Sequence, residues 1–209
     1  MTDWLERVYT AGNDTAKLAE VYDAWADEYD DSVGQVGYTN PAVVSALFAR
    51  LMPDIAAPVL DVGCGTGLIG RILSLAGYQD LTGIDLSPGM LKRAEARGCY
   101  RQLSTATLGR PLALADAAFA GVVASGVFTV GHAPASAFAE IARILRPGGM
   151  FVVSITDPVY EAGGFRAAIR ALVEDGHWEP AAESGSYLPL PGADDDHRHP
   201  GRVYAMRRR

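Results

Sequence analysis

The nine residues Val59-Leu60-Asp61-Val62-Gly63-Cys64-Gly65-Thr66-Gly67 carry an apolar run into a turn with glycine at every second position. Pro58 to Val62 reads as a short strand, and Leu68 to Ala76, stopped by Gly77, as the helix that follows at once. Glycine lets the backbone turn tightly and come close to a ligand with no Cβ in the way. The helix start behind it presents unsatisfied N–H groups. Asp61 lies inside the strand end, where its charge suits a cationic group and works against a pyrophosphate.

Outward from that turn, strands and helices alternate. Leu81 to Ile84 reads as a second strand closed by Asp85, a place where a carboxylate accepts hydrogen bonds from both ribose hydroxyls of an adenosine. Pro88 to Arg97 is a helix with Ser87 as its cap and Gly98 after its end. Tyr100 to Leu103 and Phe119 to Ala124 are the third and fourth strands. Ala135 to Leu145 is a helix ending at Arg146-Pro147-Gly148-Gly149, and Met150 to Ile155 is a β-branched fifth strand. Phe165 to Glu174 is a further helix. This order predicts a parallel sheet covered on both faces. His177 to Leu190 and Arg202 to Met206 then read as an antiparallel hairpin. Their connection, with Pro189, Pro191, Gly192 and the run Asp194-Asp195-Asp196, has no room for a helix.

Upstream, Leu18, Val21, Tyr22, Trp25 and Tyr29 share one face of a helix capped by Asp14 or Thr15 and stopped at Gly34. Asn40-Pro41 reads as an N-cap and first position of a helix running to Leu51. Tyr22 and Trp25 are assigned to the core. Tyr29 and Tyr38, near a glycine-containing turn, are candidates for facing a cation with their rings. Gly34 and Gly37 are candidate hinges of a lid over the carboxyl ends of the strands.

With 209 residues, 49% of them hydrophobic, the chain can bury one core, so a single domain is expected. Residues 1–52 form a helical cap, 58–156 a cofactor-binding core, and 157–209 a helix and the closing hairpin. The net charge of -7 argues against nucleic acid as a partner, because phosphate neutralisation needs a basic face. The basic cluster Arg207-Arg208-Arg209 reads as a solvated tail. Cys64 and Cys99 form no metal-type pair, which fits a reducing compartment, and Cys64 reads as a small filler in the turn. No leader and no apolar run of about 20 residues is visible, so the expectation is a cytoplasmic protein with no membrane partner. His197 and His199, beside the acidic run, read as part of a charged loop, and no metal is expected.

The blocks LDVGCGTG, GIDLSPGML and ILRPGGMFVVS, in that order between Val59 and Ile155, resemble the class I S-adenosylmethionine-dependent methyltransferases. The opening VYDAWADEYD is similar to the cap of a smaller group, the methyltransferase-like proteins related to the Williams–Beuren-region protein. The resemblance implies an α/β fold, a Rossmann-like three-layer sandwich. Its seven-stranded, mostly parallel sheet has an antiparallel last strand, and a helical cap precedes it. The implied cofactor is S-adenosyl-L-methionine. Asp61, Gly63, Gly65 and Gly67 match the motif that holds its methionine part, and Asp85 the ribose-binding acid. Leu86 and Met90 match positions flanking the adenine, and Ser125 and Gly126 positions lining the pocket.

Two positions depart from the family pattern. Thr107 stands where an Asp often binds the adenine amine, and Phe119-Ala120 where Phe-Asp is usual. A threonine hydroxyl still accepts one hydrogen bond, more weakly than a carboxylate.

The implied reaction is in-line transfer of a methyl group to a small-molecule acceptor. His132, after the fourth strand, is the candidate general base, with a histidine that merely fixes the loop or lines the pocket as the alternative. Gly65, Gly67 and Gly70 also spell GxGxxG with Asp85 beyond, which leaves a nicotinamide-dependent oxidoreductase open, as well as a non-catalytic cofactor-binding module. Ala124-Ser125-Gly126-Val127 stands where nucleobase-amine enzymes show Asp or Asn before Pro-Pro, which favours a small molecule. A monomer or weak homodimer is expected.

Overall fold

Strand β1 (Val59–Val62) is buried along its whole length, as an apolar run of this kind must be when helices cover both faces of a sheet. A computed structural model describes residues 2–12, 14–129 and 131–209. After β1 come α5 (Leu68–Leu75), β2 (Leu81–Asp85), α6 (Pro88–Ala96) and β3 (Gln102–Thr105). They are followed by β4 (Phe119–Phe128), α7 (Ala137–Ile144), β5 (Leu145–Thr156), α8 (Asp157–Ala162) and α9 (Phe165–Glu174). Strands β6 (Trp178–Glu183) and β7 (Gly201–Arg208) close the chain. Before β1 stand α1 (Thr2–Ala11), α2 (Thr15–Trp25), α3 (Tyr29–Gln35) and α4 (Asn40–Leu51).

The seven strands lie in the order β3-β2-β1-β4-β5-β7-β6. Strand β7 runs antiparallel to both β5 and β6, and every other neighbouring pair is parallel. The fold is therefore the seven-stranded Rossmann-like sandwich with an antiparallel last strand. The chain leaves β1 toward β2 on one side and returns to β4 on the other. The crevice outside the carboxyl ends of β1 and β4 is thus the switch point where such sheets bind ligands.

Two apolar layers hold the sheet. On one face Phe128, Phe138, Phe151, Phe165 and Trp178 interlock, with Phe138 edge-on to Phe128 at 4.8 Å and to Phe151 at 5.4 Å between centroids. Removing the central Phe138 ring would cost about 3–5 kcal/mol. On the other face Val44 and Phe48 of α4 pack with Ile69 and Leu73 of α5 against Val59, Val123 and Val152. Helix α4 thus packs on the sheet beside α5.

Several local expectations are corrected. The single helix read through Trp25 and Tyr29 is two, α2 and α3, because the chain turns at 26–28 and brings those rings edge to face at 4.8 Å. Periodicity alone does not register such a break. Asn40 is the first residue of α4, whose cap is Thr39, since the Asn40 side chain accepts from the Tyr187 hydroxyl at 2.7 Å. Strand β6 stops at Glu183, beyond which Ser184 still bonds to Val203 and Tyr187 bridges back to Gly201. Helix α8 has no counterpart in the sequence reading. The terminal arginines are not a free tail. Arg207 and Arg208 belong to β7, Arg208 donates to the carbonyls of Arg143 and Leu145, and Arg209 lies 3.4 Å from Glu179. The caps Asp14 and Ser87 form as expected, accepting from the N–H groups of Ala16 and Lys17 and of Met90. Among the described residues no helix is long and apolar enough to cross a membrane.

Candidate active site

The glycine turn leaves β1 through Gly63 and Gly65 at φ +64° and +54°, the left-handed region in which only glycine is unstrained. A Cβ at Gly63 would meet Val127 Cγ2 at 2.4 Å, whereas one at Gly65 would meet nothing within 4 Å. The open side at Gly65 borders the main cavity. At the end of β2 the Asp85 carboxylate folds back on this turn and accepts from the N–H of Gly65 at 2.8 Å and of Ser87 at 2.9 Å.

Asp61 is 2% exposed and accepts from the Tyr100 hydroxyl at 2.6 Å, whose oxygen in turn accepts from the Gly70 N–H at 3.2 Å. Burial pushes the Asp61 carboxyl up to about 7, the Tyr100 hydrogen bond draws it back, and the Asp85 charge adds to the rise. Asp85 is also raised by burial, against the backbone N–H bonds that favour its charged form. A buried and a half-buried carboxylate at one site are relieved by a bound cation.

Three cavities meet over the carboxyl ends of the strands. The largest, about 340 Å³, lies within the usual range for small-molecule sites. Asp85, Leu86, Met90 and Thr107 line one part of it, and Gly63, Gly65, Ser125 and His132 border it as well. A small recess of about 30 Å³ beside it is bordered by Asp61, Tyr38 and Cys64. A third cavity, about 130 Å³, lies between the N-terminal helices and the β6–β7 connection. Tyr29 borders all three.

The expected cofactor residues are thus gathered at one place, with one exception. Gly67, at φ +87°, lies beneath Arg97 and Tyr100 and borders none of the cavities, so it shapes the turn without lining the site. Tyr38 sits behind Ser125, its hydroxyl 3.1 Å from the serine oxygen. The Cys64 thiol is buried and raised well above its ordinary value by that burial, as a packing residue should be. Tyr22, assigned to the core from the sequence, packs there on Trp25 and also borders two cavities, its hydroxyl 2.7 Å from His132 Nε2. Trp25 does belong to the core, at 1% exposed.

Sequence reasoning also missed the ties that seat the N-terminal helices. Asp23 of α2 accepts from the Gly89 N–H at 2.7 Å and from the Ser87 hydroxyl, at the start of α6. Asp30 of α3 accepts from the Thr66 hydroxyl at 2.6 Å and from Arg97. These partners stand 36 to 67 residues apart, and no local spacing signals them.

The donor set suits S-adenosylmethionine. The cavity has a carboxylate for a ribose, apolar walls for a purine, and a buried acid beside the recess for an amino group. Comparison with known proteins agrees. Residues 60–153 match a family described as a methyltransferase domain. The chain belongs to the class I S-adenosylmethionine-dependent methyltransferases. Over 190 residues it is 32% identical to human methyltransferase-like protein 27, which covers 84% of this chain and 77% of that protein. It is 36% identical over 157 residues to the ubiquinone/menaquinone biosynthesis C-methyltransferase of Roseobacter denitrificans, covering 68% of this chain and 60% of that one. Among solved structures, a possible histamine N-methyltransferase from Thermotoga maritima superposes with a TM-score of 0.64 at 18% identity. That match covers 91% of this chain and 98% of the other. The family decides for methyl transfer over the nicotinamide reading, and S-adenosylmethionine is the cofactor.

Proposed function

We propose that this methyltransferase acts on a small-molecule acceptor held in the third cavity. The observation that carries this reading is the meeting of all three cavities at Tyr29. In this assignment Asp85 receives the ribose hydroxyls, and Leu86, Met90 and Thr107 enclose the adenine. Asp61 faces the amino group from the recess, with Gly63, Gly65 and Ser125 close to the ligand backbone. The bound cofactor supplies a methyl group on a cationic sulfur, a good leaving group. The chain supplies position, orientation and exclusion of water. Tyr29 and Tyr38 turn polarisable rings toward the cation. Helices α1 to α3 act as a lid, tied by Asp23 and Asp30, and the bond between Tyr22 and His132 fastens it to the loop after β4.

The acidic chain favours a small molecule over nucleic acid. Relatives named for ubiquinone and menaquinone biosynthesis and for malonyl-acyl carrier protein give the same class of acceptor precedent. The chain spans less than two thirds of the length of those relatives, so their substrates serve as precedent only.

The test uses S-adenosylmethionine labelled in its methyl group, offered with cell extract separated into small-molecule, protein and nucleic-acid fractions. Label should enter the small-molecule fraction and be lost with Asp85→Ala. Label entering only protein or nucleic acid would refute the small-molecule reading.

A further inference from the structure

The β6–β7 connection, read from the sequence as a charged loop, buries one of its histidines. His197 is 9% exposed and borders the third cavity. Its Nδ1 lies 2.5 Å from the Asp194 carboxylate, and its backbone N–H donates to the same oxygen at 3.1 Å. The ring stacks on Tyr9 of α1 at 5.4 Å between centroids, 18° from parallel. A carboxylate only accepts, so the imidazole proton stands on Nδ1 and the lone pair on Nε2. A carboxylate behind a histidine orients the ring and stabilises the imidazolium it becomes. His132 borders the same cavity but presents its Nε2 to the Tyr22 hydroxyl.

The walls of this cavity say what it accepts. Leu5, Val8, Val33, Phe128, Val159 and Leu190 are apolar, and among the described residues no Lys, Arg, Asp or Glu borders it. A carboxylate or phosphate would meet no permanent cation there, only the imidazoles of His132, His197 and His199, and its burial would be costly. Its volume of about 130 Å³ is close to that of cavities, about 150 Å³, that hold a single benzene ring.

Building on the function proposed above, we propose that the third cavity takes a neutral, single-ring molecule bearing an ionisable hydroxyl, and that His197, held by Asp194, removes the hydroxyl proton. The O–H proton passes to His197 Nε2. The oxygen lone pair forms the bond to the methyl carbon as the carbon–sulfur bond breaks, and that bond's electron pair stays on sulfur as a neutral thioether. The positive charge moves from sulfur to the imidazolium facing Asp194, which afterwards returns the proton to water. His197 is the catalytic residue and Asp194 a positioning residue.

The test uses 4-nitrophenol, a neutral single-ring phenol whose phenolate absorbs visibly, added to protein loaded with S-adenosylhomocysteine. The pH is set where the free phenol is mostly protonated. Binding to the wild type should raise the phenolate band several-fold. His197→Gln should bind the phenol but leave the band at its free-solution level, and Asp194→Asn should fall between. His132→Gln, which frees the Tyr22 tie, should lower the band less than His197→Gln does. With S-adenosylmethionine in place of S-adenosylhomocysteine, formation of 4-nitroanisole should show kcat lowered at least about 100-fold in His197→Gln, with KM little changed. A band that survives in His197→Gln, or is lost only in His132→Gln, overturns the assignment. If His197→Gln does not fold, the Asp194→Asn and His132→Gln bands decide the question alone. A wild type whose melting temperature rises with S-adenosylhomocysteine but which binds no 4-nitrophenol overturns this inference and leaves methyl transfer standing. A melting temperature that S-adenosylhomocysteine leaves unchanged overturns both.

Discussion

Cofactor affinity should depend on pH through Asp61, and the structure sets the size of the effect. The perturbation is a pH series on the wild type and on Asp61→Asn. Burial holds the Asp61 carboxyl at about 7, so at neutral pH about half the ligand-free molecules carry it protonated. If only the ionised form receives the amino group, the dissociation constant scales as one plus the proton excess over that midpoint. It should fall about ninefold from pH 5 to pH 6 and about 50-fold from pH 5 to pH 7, or about 2.3 kcal/mol in all. Affinity should then decline again as the ligand's own amino group, near about 8, loses its proton. Equilibrium dialysis of S-adenosylhomocysteine reads this directly.

Asp61→Asn keeps the shape and removes the titration, so the steep limb should flatten, leaving only the weaker contribution of Asp85. Tyr100→Phe should move the limb to higher pH, because the Tyr100 hydroxyl favours the ionised form. The stability consequence has a definite sign. The folded value lies above the unfolded one, so the contribution of Asp61 to stability is present below the ordinary carboxylate range and is lost as pH rises through about 7. A bound cation offsets that loss, and the melting shift given by ligand should be larger at pH 7 than at pH 5. An Asp61→Asn variant that retains the wild-type limb would refute the pairing of Asp61 with the amino group.

Three further outcomes follow from the same geometry. Thr107→Asp should tighten S-adenosylhomocysteine binding by about 1 kcal/mol, or about fivefold, through a charge-assisted bond to the adenine amine. Unchanged binding in isothermal calorimetry would mean that Thr107 does not face the amine. Gly63→Ala and Gly65→Ala should separate folding from binding. The first meets Val127 at 2.4 Å and should lose about 2–5 kcal/mol in chemical denaturation, while the second should lose about 1–2 kcal/mol yet bind cofactor poorly. Asp30→Ala frees Thr66 and Arg97 and should speed amide exchange in α2 and α3 roughly two- to tenfold, with exchange in the β4–β5 core unchanged. Equal exchange in mutant and wild type would show that this tie does not hold the lid.

The cofactor half of the site rests on local determinants. A strand, a glycine turn and a helix must follow one another within about a dozen residues, so spacing marked Gly63, Gly65 and Asp85 as a nucleotide-type turn and left a nicotinamide cofactor open. The family resemblance added Leu86, Met90, Thr107 and Ser125, and each of these borders the main cavity. The third cavity, in which we place the acceptor, was not legible. Its walls come from α1, α2, the ends of β4 and β5, and the β6–β7 connection, segments that share no sequence neighbourhood. His197 illustrates the difficulty. Its Asp194 partner is only three residues away, but whether the pair is solvated or buried depends on Tyr9, almost 190 residues distant.

The same division runs through the whole molecule. Alternating apolar strands and helices, with a closing hairpin that leaves no room for a crossover, specified the sheet and its antiparallel last strand. Handedness and strand pairing allow few other arrangements of such a pattern. Side-chain periodicity records which face of an element is apolar, not what that face meets. Packing alone split α2 from α3, laid α4 on the sheet beside α5, and brought the Tyr22 hydroxyl to His132. Each of these depends on contacts between residues far apart in the chain, whose energies exist only once the sheet has brought them together.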